Sequence, residues 1–558
     1  RRLRPIAHVR GWGPEPEVVE LAGWAAWRWA GRTGSFLGTA SPPRAVTVLP
    51  ASDRRAPPPP AGPVDVLEAV LAASSSSPGI LRLPPVADPT VVVAAVAQRG
   101  PTLVVVPSSA RAAVLAHRLR RAGAGVALVP SDWANARAGA GVVVGARSAV
   151  WAPCPGIAAV VVLDAHDEGL VEQQAPTWWA AVVAAERARR AGVPCIWVTP
   201  IPTLDLLEMA TAAPARLAAS RERAGWAPLD VVDRSADDPR LGLWSERLTR
   251  TVREAGRVVC VLNRTGRARL LACGACRTVA RCEYCGSAVI QPGSPPAAAV
   301  LVCRRCGQSR PPVCLACHST GLRRLVVGVT RAREELAALC GRQVGEVTAT
   351  SASAPEAPVL IGTEAVLHRP ELTGAVDVVA FVDFDQELLA PRVRSGEEAL
   401  ALLARAARLV RGRDRHGRVV VQTRLADHEV LDAASRGDPE RLSDVEGVRR
   451  RVLRLPPHAA LAIVSGPEAE AFAAAVAASS TVPASSTVPA RSSATPASPA
   501  PLATGIAPGP AGGGIEILRP DDGRRILRAA STDLLCDALA GIRRPPGRHR
   551  VEVDPVRF

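Results

Sequence analysis

The chain has 558 residues, 48% of them hydrophobic, and a formal net charge of +16. That length and apolar content support about three or four domains with real cores, built from a narrow palette of Ala, Val and Leu with five Phe, one Tyr (Tyr284) and one Met (Met209). All 68 basic residues are arginine, which marks a strongly biased genome as much as a basic protein and excludes any chemistry that needs a lysine. No apolar run reaches the ~18 residues of a bilayer-spanning helix, and no signal-peptide pattern opens the chain. Cysteines in metal-ligand spacing fit a reducing cytoplasm, so a cytoplasmic location is expected, with no membrane partner.

In chain order, residues 1–45 carry an amphipathic stretch from Pro16 to Ala30 with Trp24, Trp27 and Trp29 close together. It is expected to form a helix that caps a missing sheet. Residues 46–65 form a proline-rich linker around Ala51-Ser-Asp-Arg-Arg-Ala-Pro-Pro-Pro-Pro-Ala-Gly-Pro63. Strand signals follow at Thr102–Val106, Gly141–Val144, Ala158–Leu163 and Pro194–Val198, with helix signals at Ala110–Gly123 and Trp178–Ala191. Short Val-rich strands separated by helices predict a doubly wound parallel sheet over 66–232.

A second α/β set occupies 233–430. Strands are expected at Val258–Leu262, Leu325–Val329, Val359–Ile361, Val378–Val382 and Arg418–Gln422, and helices at Arg331–Leu339 and Glu397–Val410. Interrupting it, over 270–320, are eight of the thirteen cysteines as four C-x-x-C knuckles: Cys273/Cys276, Cys282/Cys285, Cys303/Cys306 and Cys314/Cys317. One knuckle presents two thiolates from a tight turn, and two knuckles complete a tetrahedral Cys₄ zinc shell. The 17 residues between Cys285 and Cys303 suit a two-knuckle ribbon. The gaps of five residues after Cys276 and seven after Cys306 are short for closing one. The expected arrangement is therefore nested. Cys273, Cys276, Cys314 and Cys317 hold one zinc, and Cys282, Cys285, Cys303 and Cys306 the other. Disulfides or a redox pair would not produce four regular knuckles with a basic filling. Between Arg264 and Arg324 stand ten arginines (264, 267, 269, 277, 281, 304, 305, 310, 323 and 324) and one acid, Glu283. Such a one-signed patch is the footprint expected for a phosphate backbone.

Residues 431–558 read as a small α+β domain. A strand at Ala459–Val464 and a helix at Glu468–Ala478 precede low-complexity residues 479–514, which include a tandem Ser-Ser-Thr-Val-Pro-Ala repeat and are expected to be disordered. Strands at Ile515–Leu518 and Arg524–Arg528, a helix at Thr532–Ala540 and a strand at Arg550–Val553 complete a split-βαβ pattern.

Two α/β lobes in tandem suggest a nucleotide cleft between them, and that cleft lacks its usual equipment. A phosphate-binding loop needs glycines, a lysine for the β/γ-phosphates and a Ser/Thr for Mg²⁺. The stretch in its place, Leu81-Arg-Leu-Pro-Pro-Val-Ala-Asp-Pro-Thr90, has no glycine and three prolines, which remove N–H donors. Arginine's planar fork does not replace the lysine point charge. A strand ends at Asp164, where a magnesium-holding aspartate would sit, but its neighbour is Ala165 rather than a water-activating glutamate. No catalytic or nucleotide-binding residue is assigned, and a degenerate, inactive ATP site is expected.

The pattern resembles the primosomal replication-restart PriA family, superfamily 2 helicases with a double zinc module inserted in the second lobe. Carrying the resemblance are Gly145-Ala-Arg-Ser148, Asp164, Glu172-Gln-Gln174, Leu262-Asn-Arg-Thr-Gly266, the eight cysteines, Ile361-Gly-Thr363, Val382-Asp-Phe-Asp385, Arg394-Ser395 and Val419-Val-Val-Gln-Thr423. It runs over the whole chain and is best from Gly141 to Gln422. The family's zincs are bound in the nested way. The family's Asp-Glu-Glu-His box reads Asp164-Ala-His-Asp167, and its Q-x-x-G-R-x-G-R motif reads Arg405-Ala-Ala-Arg-Leu-Val-Arg-Gly412 with Arg408 and Arg411 nearby. The chain thus resembles the degenerate form of high-GC actinobacteria, with residues 1–45 a remnant of the N-terminal DNA-binding domain.

The resemblance implies replication restart: binding of stalled or abandoned forks, primosome assembly and reloading of the replicative helicase, by a pseudo-helicase rather than an enzyme. The partners it implies are branched DNA, primosome and helicase-loading proteins, and single-stranded DNA-binding protein. Two zinc ions per chain are the expected cofactors. A residual ATP-driven 3′-to-5′ helicase and a protein-only primosome adaptor are the alternatives.

Overall fold

In the computed structural model, the residues described are 11–237, 242–263, 271–276, 278–291, 300–303, 305–324, 329–348, 350, 351, 353–479, 514–520, 523–545 and 549–555. The first sheet has seven parallel strands: β1 (Gly79–Arg82), β2 (Thr102–Val105), β3 (Val126–Val129), β4 (Val142–Gly145), β5 (Ala159–Leu163), β6 (Cys195–Thr199) and β7 (Ala215–Arg216), in the order β3-β4-β2-β5-β6-β1-β7. A parallel sheet covered by helices on both faces needs strands that are apolar on both faces. Every residue of β2, β4, β5 and β6 is buried, which is why those Val-rich runs were legible.

The second sheet is also all parallel. It contains β8 (Leu229–Asp233), β9 (Val258–Val261), β10 (Val344–Val347), β11 (Val359–Gly362), β12 (Val378–Phe381) and β13 (Arg418–Thr423), in the order β8-β13-β12-β9-β11-β10. The expected strand at Leu325–Val329 lies almost wholly outside the described residues. Before the gap, Leu322–Arg324 pairs antiparallel with Leu271–Cys273 at the base of the cysteine module, and a helix begins at Val329. The C-terminal unit is antiparallel: β14 (Ala460–Ser465), β15 (Glu516–Leu518), β16 (Arg525–Ala529) and β17 (Arg550–Val553), in the order β15-β16-β14-β17, with two helices. Most of the stretch expected to be disordered, residues 480–513, lies outside the described residues.

Five helices line the cleft between the lobes or join one unit to another: α1 (Pro16–Arg28), α2 (Ser109–Arg121), α3 (Leu204–Met209), α4 (Ser395–Leu409) and α5 (Glu440–Val452). Helix α1 begins with Pro16 at its first turn, where a missing N–H costs nothing, and buries Val18, Leu21, Ala22 and Ala25. It caps the first sheet, with Trp29 and Phe36 joining one core with Trp151 and Trp178. It also touches the C-terminal unit, since Trp27 donates to Asp537 at 2.9 Å and Arg28 pairs with Asp554.

The proline-rich linker is a strap along the edge of the first sheet. The Asp53 amide donates to Gly139 O and the Gly141 amide to Asp53 O, both at 2.9 Å, and the Gly125 amide donates to Arg55 O at 2.9 Å. A Cβ at Gly125 or Gly141 would stand 2.1 or 2.2 Å from the strap's carbonyls, so this close approach requires glycine at both positions. The prolines that follow cannot donate, which ends the pairing. Among the described residues no helix is long and apolar enough to cross a membrane.

Candidate metal centres and the interlobe cleft

Two groups of four thiols form, and they pair the knuckles in the nested order. Cys273, Cys276, Cys314 and Cys317 converge in one, Cys282, Cys285, Cys303 and Cys306 in the other, with all sulfurs of a group within 4.8 Å of one another. The Sγ–Sγ separations are 3.5 Å (Cys273–Cys317), 3.4 Å (Cys276–Cys314), 3.5 Å (Cys282–Cys306) and 3.4 Å (Cys285–Cys303). Zn–S bonds of about 2.3 Å in a tetrahedron put sulfurs about 3.8 Å apart, whereas a disulfide needs ~2 Å. A soft, all-thiolate, four-coordinate set fits zinc and leaves no open position for chemistry.

The module is seated on the second lobe. The Ala288 amide donates to Leu389 O at 2.9 Å, and Arg305 donates to Val393 O at 3.4 Å and to Glu446 at 3.0 Å. Of the ten arginines expected to form a phosphate-facing patch, Arg305 does not take that role. Arg305 is buried, with a side chain 4% exposed against Glu446 on α5. Arg310 is turned inward onto the carbonyls of Val313 and Arg281, and Arg281 is half-buried. The carboxylate of Glu446 cancels the charge of Arg305, whereas Arg310 keeps its charge but commits its donors to carbonyls. Arg264, Arg267, Arg269, Arg277 and Arg304 lie outside the described residues, as do the side chains of Arg323 and Arg324.

The interlobe cleft opens at the C-terminal ends of β1 and β5. After Arg82 the chain runs through Pro84 and Pro85 to a helix, Pro89–Val96, whose first turn is capped by Asp88 accepting from the Thr90 amide at 2.9 Å. The free N–H groups and positive dipole end that would attract a phosphate are thus met by a carboxylate. Asp164 closes the opposite wall. It is buried and sits at φ +51°, a left-handed conformation that an aspartate tolerates better than a branched residue.

Arg408 of α4 donates to Asp164 at 3.0 Å and to Pro85 O at 2.9 Å, and Arg111 of α2 also pairs with Asp164. Burial alone would raise the Asp164 carboxyl, but Arg111 and Arg408 hold it far below the usual range. One turn away, Arg405 pairs with Asp167 at 3.0 Å and with Glu364 at 2.5 Å. His166 shares a 2.9 Å hydrogen bond with Thr199. Burial pushes it down to about 4, so it is neutral near pH 7.

Of the two arginines expected near the cleft, Arg408 is there and Arg411 is not. Arg411 lies beyond the end of α4 and pairs with Asp377 of its own lobe at 2.8 Å. Arg405 takes the second position, because residues three apart on a helix share a face. Its role was hidden, since its partners are remote in sequence. The motif residues Arg147 and Glu172 do meet, at 2.7 Å, beside a cavity of about 600 Å³ that Ser108, Arg111, Asp167 and Arg550 also line.

No family model matches the chain. It is 31% identical over 367 residues to the probable replication restart protein PriA of Mycobacterium bovis, covering 59% of this chain and 52% of the relative. With the replication restart protein PriA of Bacillus subtilis it shares 25% identity over 363 residues, 60% of this chain and 44% of the relative. The Treponema pallidum PriA matches at 28% over 338 residues, 57% of this chain and 50% of the relative.

The chain is PriA-like.

It spans about half the length of the curated PriA relatives it matches. Among solved structures, the S. cerevisiae Dbp5 L327V bound to RNA and ADP BeF3 superposes with a TM-score of 0.35 at 12% identity, over 70% of this chain and 98% of that one. In this PriA-like chain the two parallel sheets enclose a cleft whose charged groups are bound to one another.

Proposed function

We propose that this chain acts in replication restart as a fork-binding scaffold. It binds branched DNA at stalled or abandoned forks and supports primosome assembly and reloading of the replicative helicase, without helicase activity of its own. The observation that carries the non-motor part is the pairing of Asp164 with Arg408 beside Pro85, behind a helix start already capped by Asp88. A lysine-free chain has no residue to draw a β/γ-phosphate into that space. The similarity to PriA proteins supports the restart role and, through it, the DNA, primosome and helicase-loading partners.

In this proposal zinc occupies both thiol groups, Cys273/Cys276/Cys314/Cys317 and Cys282/Cys285/Cys303/Cys306, in a structural role. The helicase-like units are 66–232 and 233–430, with the zinc insertion at 270–320 and the α+β unit at 431–558. A protein-only adaptor is the second reading, favoured by the inward-turned Arg305 and Arg310. Fluorescence anisotropy on a forked DNA and a linear duplex of equal length, over a salt series, separates the two. Fork preference with affinity falling steeply as salt rises is the outcome for a phosphate-binding scaffold. No DNA binding at any salt would leave the adaptor.

A further inference from the structure

The charged groups that link the lobes form a pattern beyond one degenerate site. Two sets of buried ion pairs cross from the first lobe to the second, and a third, centred on the Arg82–Glu222 pair inside the first lobe, reaches partly exposed carboxylates at the start of α5. At the cleft, Arg408 and Arg405 of α4 hold Asp164 and Asp167 at the end of β5. On α3, Asp205 takes both nitrogens of a fork from Arg394, at 2.8 and 2.9 Å, and the Leu204 amide donates to Glu397 at 2.8 Å. Under β1, Arg82 holds Glu222 at 2.9 Å and reaches Asp438 and Glu440 at 3.3 and 3.2 Å. The second set continues without a break. Arg450 of α5 binds Glu397 at 2.6 Å and approaches Glu446 at 3.5 Å, and Glu446 binds Arg305 of the cysteine module at 3.0 Å. The side chains of Arg450, Glu446, Glu397 and Arg305 are 0, 2, 4 and 4% exposed.

We infer that these pairs form a nucleotide-independent clamp that holds the two lobes closed and fixes the cysteine module to the closed state. This deepens the non-motor proposal and rests on it. A cycling motor closes when the phosphates of its bound nucleotide supply the anion that arginines from the facing lobe approach. Here the carboxylates of Asp164 and Asp167 supply that anion permanently, from within the chain. Opening would part Arg394 from Asp205, Arg408 from Asp164 and Arg405 from Asp167 at once, leaving Asp164 only Arg111 and Arg405 only Glu364, and breaking a buried pair costs more than its assembly gains. Ion pairs of this kind are costly to assemble and more costly to break. The three sets therefore favour one lobe geometry over a pair of interconverting ones. Arginine suits the task, since its planar fork binds a carboxylate bidentately, as Arg394 does with Asp205.

The test is single-molecule energy transfer on the full chain. Dyes are introduced through unnatural amino acids at exposed Val114 of α2 and exposed Val448 of α5, which leaves the native cysteines untouched. The clamp predicts one narrow distance distribution, unchanged by Mg·ATP, by a non-hydrolysable analogue and by forked DNA. It also predicts broadening toward longer distances in the double variant Arg405→Ala/Arg408→Ala and in the isosteric Asp164→Asn. Two zinc ions per chain and a cooperative melt certify that each variant is folded. A distance that shifts with nucleotide in the wild type overturns the clamp, and so do folded variants that stay closed. ATP hydrolysis is read in the same samples. Hydrolysis with an unmoving distance would sink the non-motor proposal, whereas movement without hydrolysis would sink only the clamp.

Discussion

Arg450 has no exposed side-chain surface and sits among Glu397, Glu446 and Asp205, so its charge is tolerable only because its partners are fixed around it. Removing it leaves buried Glu397 with the Leu204 amide in place of a guanidinium, while Glu446 and Asp205 keep Arg305 and Arg394. Arg450→Ala is expected to cost about 3 kcal/mol, read as a lowered urea midpoint. Glu387 behaves in the opposite sense to the paired carboxylates. Burial raises its carboxyl to about 7 against the pull of Arg392, so the folded chain keeps a proton that the unfolded chain has released above pH ~4.3. Its contribution to stability therefore declines between about pH 4.3 and 7. Asp164 and Asp167 are shifted down, so their contribution is fully present above about pH 4 and is lost as pH falls below it. Buried His166 works against the Glu387 effect, since its lowered value makes stability rise between about pH 4 and 6.5. In thermal melts from pH 4.5 to 7.5, Glu387→Gln should therefore turn the slope of Tm against pH upward relative to the wild type. An unchanged slope would contradict the assignment. None of this was legible from the sequence. The partners of these residues lie far along the chain, and a buried Arg305 reads in a string of letters like any surface arginine.

At the scale of elements, the sequence revealed what was repetitive and apolar and concealed what was short or mixed. Strands β2, β4, β5, β6, β9, β11, β12 and β13 were legible because their Val-rich runs are buried on both faces. Strand β1 was missed because Gly79-Ile-Leu-Arg82 has only two apolar side chains and ends in a charge that is neutralised by Glu222. Strands β3 and β10, at the two edges, mix half-buried and buried positions and so lack the uniform apolar signal. The strap at 51–63 reads as a linker by composition, yet its backbone is pinned to the sheet edge by Asp53 and Arg55. Gly125→Ala would drive a Cβ to 2.1 Å from Asp53 O, so the strap must lift. The expected cost is about 1–3 kcal/mol, with new protease cleavage confined to 51–63. No new cleavage would show that the strap is not held there. The cysteine spacing gave the nested pairing outright, because four regular knuckles leave few ways to close two tetrahedra. Cys285→Ser is expected to lower bound zinc from two ions per chain to one and to unfold the inner half of the module, checked by metal analysis and near-UV circular dichroism.

For the whole molecule, the units share interfaces. Helix α1 touches the C-terminal unit through Trp27 and Arg28, Arg394 donates to Pro555 O at 3.3 Å, and the cysteine module leans on α5 through Arg305 and Glu446. Stripping zinc with a chelator should therefore loosen the module and its contact with α5 while the first sheet keeps its protection. Hydrogen exchange would show fast amides at 271–324 and 440–452 and slow ones across β2, β4 and β5. Uniform loss of protection would mean the molecule melts as one unit. In the proposed scaffold the +16 charge, whose basic residues are all arginine, supplies the broad electrostatic attraction for DNA, with Arg305 and Arg310 turned to internal contacts. The cleft of the proposed scaffold does not run on ATP. Steady-state ATP hydrolysis by the zinc-loaded chain, with and without saturating forked DNA, tests it most directly. A rate at background is expected in both cases. A DNA-stimulated rate that disappears in the Arg408→Ala variant would contradict it.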